Sequence, residues 1–232
     1  MIKETMKEKQ TFLHIFFIIV FSSLLMSFID GYYNPPYIIK TGLKLVLFLL
    51  IPLIYLAYRK PEAIRLKQLF SLRFKYLKEA LILALSVFLI IIIAYFIASP
   101  LINLNQIKDN LINNLNVNKD NFIFVALYIS LVNSFIEEFF FRAFAFMILK
   151  DHSTKFIANI ISSLMFALYH IGMTITWFNP LIFTLALASL FIAGLIFNYL
   201  NLRSDSIYPS WLVHMFANFA INTIGLILFG II

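Results

Sequence analysis

Seven stretches of this chain stay apolar for about twenty residues each, the length a helix needs to cross the hydrocarbon of a bilayer. They fall at roughly 12–30, 38–58, 79–98, 121–142, 156–175, 180–200 and 207–229. The chain is 62% hydrophobic and 12% charged, against about 45–50% and about 25% in soluble domains. These figures define an integral membrane protein. The expected fold is an all-α, polytopic transmembrane helical bundle of about seven spans.

The breaks between runs have local causes. Asn34-Pro35-Pro36 ends the first hairpin and Ser99-Pro100 the third span. Asp151-His152-Ser153-Thr154 reads as a polar turn with helix-capping residues, and Asn179-Pro180 opens the sixth span. The first run follows a charged start, MIKETMKEKQ, like a signal sequence. It is too long for a secretory core and lacks a small-residue cleavage site, so an uncleaved first span is expected. With 6 Gly and 7 Pro there is little linker material, and no internal repeat is visible.

Basic residues orient such a bundle, because cytoplasmic loops collect Lys and Arg. With the N-terminus inside, the inner segments hold Lys3, Lys7, Lys9, Arg59, Lys60, Arg65, Lys67, Arg73, Lys75, Lys78, Arg142, Lys150, Lys155 and Arg203. The outer side holds Lys40, Lys44, Lys108 and Lys119. The expectation is therefore N-inside and C-outside. The net charge of +7 then reflects topology and anionic lipid rather than nucleic acid. The basic stretch 59–79 is expected along the inner surface, and the Asn-rich stretch 101–120 as a short interfacial helix or a loop. The lipid bilayer is an expected partner, in a multi-pass cell membrane. The abundance of Phe, Ile, Asn, Lys and Tyr suggests an AT-rich coding sequence and so a bacterium. Oligomeric state leaves no trace in the sequence.

Against this background the polar residues inside the runs stand out. Glu137 and Glu138 are adjacent, and Arg142 follows four residues after the second. Ionisable groups at such depth are costly unless paired or used. On a helix Glu138 shares a face with Arg142, while Glu137 points about 100° away, with Asn133 one turn earlier. One acid is then a structural partner and the other is left to face a cavity. His170 and His214 lie on two other runs, and Asn218 and Asn222 continue the His214 stripe. Phe166 stacks under His170 as a wall at most. His14 and His152 read as ordinary polar contacts, and Trp177 and Trp211 as interfacial anchors. Glu137 and His170 are about equally far from the 151–154 turn, so they meet at one depth. His214 meets them only if the 142–155 hairpin projects beyond the bilayer.

The chemistry open to these groups is narrow. There is no cysteine, no HExxH, no GxSxG and no pair of buried aspartates, which excludes thiolate catalysis and the two-histidine helical zinc motif. A carboxylate with two imidazoles can activate water in two ways. Glu137 can take the proton directly, with His170 positioning the water and His214 and Asn218 stabilising an oxyanion. Alternatively Glu137, His170 and His214 can hold a zinc ion that activates it. Sequence alone leaves both open. It also leaves open a non-enzymatic immunity or scaffold protein that binds a peptide or partner, and a proton-coupled transporter.

Taken together, EEFFFR at 137–142, FALYH at 166–170 and HMFAN at 214–218 resemble the EExxxR, FxxxH and HxxxN motifs of the CPBP family. These are the CAAX-protease, bacteriocin-processing and abortive-infection membrane proteins. The resemblance covers about 120–228 and divides the chain into N-terminal spans at 1–120 and a catalytic helical core at 121–232. It implies an intramembrane endopeptidase acting on a membrane-embedded peptide or protein, in peptide processing or bacteriocin self-immunity. By the same resemblance Glu137 is the general base, accompanied by His170 and His214, with Asn218 at the oxyanion position. Glu138 and Arg142 match the supporting pair. The family's older description as metalloproteases keeps zinc possible, while its metal-free glutamate mechanism requires no cofactor.

Overall fold

The computed structural model describes residues 2–232; the side chains of 1–7, including Lys3 and Lys7, and of Asn114 lie outside the described residues. Seven helices are long and apolar enough to cross a membrane: α1 (Glu8–Tyr33), α2 (Tyr37–Ala57), α4 (Phe74–Leu101), α6 (Phe122–His152), α7 (Lys155–Thr174), α8 (Pro180–Ser204) and α9 (Tyr208–Leu228). Two shorter ones, α3 (Lys60–Leu69) and α5 (Leu104–Leu115), connect them. There is no strand among the described residues. The all-α multi-pass architecture expected from the apolar runs is the one observed.

The breaks fall where the turn chemistry places them. Asn34 adopts a left-handed conformation (φ 43°) before the two prolines, and its side chain accepts a hydrogen bond from Lys40 Nζ at 2.6 Å. Thr154 Oγ1 caps α7 by accepting from Ile157 N, and Asn179 Oδ1 caps α8 from Ile182 N. The Asn-rich stretch forms α5, capped by Asn103 through Gln106 N. The basic stretch differs in part from its expectation. Only α3 is a separate surface helix, and from Phe74 onward the chain is already the third spanning helix.

The fourth span is longer than its apolar run. Read as 121–142, it continues to His152. The charges at Arg142 and Lys150 suggest an exit from the bilayer. Arg142 instead is fully buried beside Glu138, and only Lys150 reaches the rim, where it pairs with Asp151 at 2.7 Å. Every residue from Ile136 to Leu149 is buried, so α6 runs through the middle of the molecule. A helix apolar on all sides needs neighbours on all sides, and α1, α2, α3, α7, α8 and α9 supply them. Its 31 residues exceed the roughly twenty that hydrocarbon requires. α3 braces its far end: Glu62 lies 3.3 Å from His152, and Arg65 pairs with both Asp151 and Asp205. That brace ties the ends of α6 and α8 to one guanidinium.

Two corrections concern the basic count. Arg142 belongs to no loop, and Lys40 and Lys44 lie inside the bundle rather than on the outer side. Lys40 Nζ is 3.6 Å from Asp30 in the first hairpin. Removing these three leaves the outer side with Lys108 and Lys119 alone, which sharpens the asymmetry. Trp211 also differs from an interfacial anchor, since its indole N–H donates into α6, to Ser134 Oγ at 3.0 Å.

Candidate active site

Three helices bring the sequence-singled residues together. Glu137 and Glu138 sit on α6, His170 at the C-terminal end of α7 and His214 one and a half turns into α9. Part of α6 on either side of the glutamates, Tyr128–Asn133 and Phe139–Ile148, is wound as π-helix. Such widened turns re-phase the faces of a helix and are frequent at functional sites. The α7 helix is interrupted at His170, between Lys155–Tyr169 and Ile171–Thr174, and Gly172 just beyond is in close backbone contact with α1. Gly172 N donates to Ser27 Oγ at 3.0 Å, and a Cβ at this position would meet Ser27 O at 1.8 Å. Only glycine lets α1 approach the turn that carries the histidine.

The two imidazoles are fixed by their Nδ1 atoms. His170 Nδ1 is 2.7 Å from Phe166 O, and His214 Nδ1 is 2.9 Å from Glu138 Oε1. A carbonyl and a carboxylate oxygen only accept, so both Nδ1 atoms carry hydrogen and the Nε2 atoms are the ones left to face the site. Those Nε2 atoms converge on one atom, Glu137 Oε2, at 3.9 Å from His170 and 3.8 Å from His214. The three atoms face one another at a spacing too long for direct hydrogen bonds.

Glu138 is occupied differently. Its Oε2 lies 3.3 Å from Arg142 Nε, an ion pair with both side chains fully buried. The guanidinium is stacked against Phe166 at 4.3 Å and Phe197 at 5.1 Å, and Nη1 reaches Ser162 Oγ at 3.5 Å. Phe166 thus does more than line a wall. It packs edge-on to His170 and His214 and faces Arg142, joining all three motifs. Asn218 stands apart from this cluster. Its Nδ2 donates to Ile129 O at 3.2 Å, one turn from Asn222, which donates to Ala126 O and Ser130 Oγ. One of the two amide hydrogens of Asn218 is thereby committed to a carbonyl in the first π-turn of α6.

Three further residues belong to the cluster and were not singled out from sequence as site residues. Lys44 Nζ is 3.1 Å from Glu137 Oε1, Asn133 Nδ2 donates to the same oxygen at 2.8 Å, and Tyr169 OH donates to it at 3.1 Å. Asn133 was visible as the residue one turn before Glu137. A lysine in the middle of an apolar run is the one signal that pointed to Lys44.

Glu137 Oε2 and the two Nε2 atoms are chemically zinc donors. Two observations bear on whether they hold a dication. The buried acids Glu137 and Glu138 are already balanced by Lys44 and Arg142, so a further +2 would stand uncompensated in the interior. Among the described residues no group of three or more His, Asp or Glu is arranged to hold a metal ion.

Residues 119–220 match the family model described as type II CAAX prenyl endopeptidase Rce1-like. The match contains all three motifs. No curated protein and no solved structure gives a significant match to the chain.

Proposed function

Since residues 119–220 of this multi-pass membrane chain match the Rce1-like type II CAAX prenyl endopeptidase model of the CPBP family, we propose that the chain is an intramembrane protease of that kind and that Glu137 is its general base. It acts on a water held against His170 and His214, and no metal takes part. The observation that carries this reading is the convergence of both Nε2 atoms on Glu137 Oε2.

A water between these atoms donates one hydrogen to Glu137 Oε2 and the other to His170 Nε2, leaving an oxygen lone pair for a peptide carbonyl. As the new C–O bond forms, the first proton passes to Oε2 and the carbonyl oxygen becomes an oxyanion. His214, entering the cycle as an imidazolium that takes its Nε2 proton from solvent and keeps it throughout, donates to that oxyanion while Glu138 holds its Nδ1, much as a carboxylate orients histidine in a catalytic triad. The remaining amide hydrogen of Asn218 is a second candidate donor. Collapse of the intermediate breaks the C–N bond, and the proton on Glu137 moves to the leaving amine.

The substrate class proposed is a membrane-associated peptide or protein, in peptide processing or bacteriocin self-immunity at a bacterial cell membrane. The test uses purified protein in detergent and two internally quenched peptides: one S-prenylated at a C-terminal CAAX cysteine, the other an unmodified amphipathic helix. Cleavage of either, with about a 10²–10⁴-fold loss in Glu137→Gln, is the expected result. Full turnover by Glu137→Gln would falsify the assignment. Binding of a peptide without cleavage would instead favour the immunity or scaffold reading.

A further inference from the structure

Glu137 has two oxygens, and the structure treats them unequally. Oε2 faces the imidazoles. Oε1 receives Lys44 Nζ at 3.1 Å, Asn133 Nδ2 at 2.8 Å and Tyr169 OH at 3.1 Å. The donors are themselves interlocked. Lys44 also donates to Asn133 Oδ1 at 2.7 Å and to the Tyr169 hydroxyl. The three ammonium hydrogens of Lys44 thus have three acceptors, Glu137, Asn133 and Tyr169, which is the full capacity of the group. Its side chain is 12% exposed and that of Glu137 is 3%.

We infer that Lys44 is a positioning residue for the reaction: with Asn133 and Tyr169 it clamps Glu137 Oε1, so that Oε2 is the oxygen that takes the proton from water. This rests on the assignment of Glu137 as base. An oxygen already accepting three hydrogen bonds has no lone pair directed at a further donor, so proton transfer is confined to the other oxygen of the same carboxylate. The clamp fixes the carboxylate plane as well, because Asn133 lies on the same helix, Tyr169 on α7 and Lys44 on α2. Lys44 also supplies the positive charge that an ionised carboxylate needs in an apolar interior.

The inference has a structural corollary. Lys44 lies outside the 119–220 family match, in the second span. The catalytic arrangement therefore crosses the division between residues 1–120 and 121–232, and the first spans contribute to the site beyond enclosing it.

Two variants and a cycle test this with the full chain in detergent. Lys44→Met keeps the length of the side chain without its charge or donors. It is expected to lower kcat about 10²-fold, the scale of a small misplacement of a reacting group, with KM changed less than about twofold. Lys44→Arg, which restores charge and donors, should recover most of that loss. Thermal stability gives a readout independent of turnover. Lys44→Met should lower Tm by several degrees in the wild-type background, about 2–4 °C per kcal/mol at this size, because it strands a buried carboxylate. It should lower Tm much less in the Glu137→Gln background, where no charge remains to be stranded. Wild-type kcat in Lys44→Met, or Tm losses that simply add, overturns the inference while leaving Glu137 as base. Activity retained by Glu137→Gln overturns the base assignment instead, whatever the Lys44 cycle shows.

Discussion

Glu137 and Glu138 are neighbours in sequence and have opposite surroundings. Glu138 is shared between Arg142 and His214, with no exposure, so its main work is electrostatic. Removing one partner of a fully buried ion pair typically costs about 3–5 kcal/mol. Glu138→Gln is expected to lower yield and Tm in detergent by that measure. The double variant Glu138→Gln/Arg142→Met should recover part of it, since the stranded guanidinium goes too. A stable, fully active Glu138→Gln protein would show that Arg142 finds its compensation elsewhere. At the membrane surface the residue-scale chemistry is milder. The Arg65 guanidinium holds the Asp205 carboxyl below the usual carboxylate range. A group depressed in the folded state contributes stability above its unfolded value, near 4, and loses it as pH falls through the folded one. The Tm difference between wild type and Asp205→Asn should therefore be constant at neutral pH and shrink below about pH 4. Both groups are partly exposed, so the difference is expected to be small and salt-sensitive.

At the scale of elements, the site depends on how closely α1 approaches the end of α7. Gly31 and Gly172 meet backbone to backbone, with a Cβ on Gly31 falling 2.8 Å from Gly172 Cα. Gly172→Ala must push α1 away or turn the segment that follows His170, and forced overpacking of this kind costs about 1–3 kcal/mol. The expected outcome is a lower Tm together with reduced kcat, because His170 moves with the turn. Gly42, where an added Cβ meets nothing within 4 Å, is the control, and Gly42→Ala should be nearly silent. The π-wound stretches of α6 also act at this scale. A helical wheel drawn at 3.6 residues per turn through Phe122–His152 loses phase from Tyr128 and again from Phe139. The Glu138–Arg142 pairing nevertheless survives, because four residues are still close to one widened turn.

For the whole molecule, the basic residues predict which side each loop faces. Reporter fusions after Asp151 and Asp205 are expected to score cytoplasmic, and fusions after Leu115 and Ile232 external. A cytoplasmic C-terminus would reverse the orientation or change the number of membrane crossings. Metal dependence is also a property of the assembled bundle, since the candidate donors come from three helices. Activity toward a cleavable peptide should survive exhaustive chelation, with no stoichiometric metal by elemental analysis. Loss with chelator and recovery on adding zinc would restore the metal-centred alternative with the same three residues.

Much of this molecule was legible before any coordinate. Apolar length alone determined seven spans, because hydrocarbon tolerates only helices that satisfy their own backbone. The caps at Thr154 and Asn179 and the Glu138–Arg142 pair are local, set by positions three or four residues apart. The three motifs contain Glu137, Glu138, Arg142 and both histidines, which converge, and Asn218, which stands apart. What sequence left undecided are relations between helices far apart in the chain. Lys44 and Glu137 are 93 residues apart, and no periodicity links them, so from sequence the lysine counts only as a charge of the outer side. The continuation of α6 past Arg142 was hidden for the same reason, since a buried arginine and a loop arginine look alike until the partner and the stacked rings are in place. Which oxygen of Glu137 faces the imidazoles depends on the rotation of α2, α6, α7 and α9 about their axes. Those rotations are set by packing, by the glycine contact at α1 and by π-turns that local propensity does not encode. Tertiary structure alone decided them.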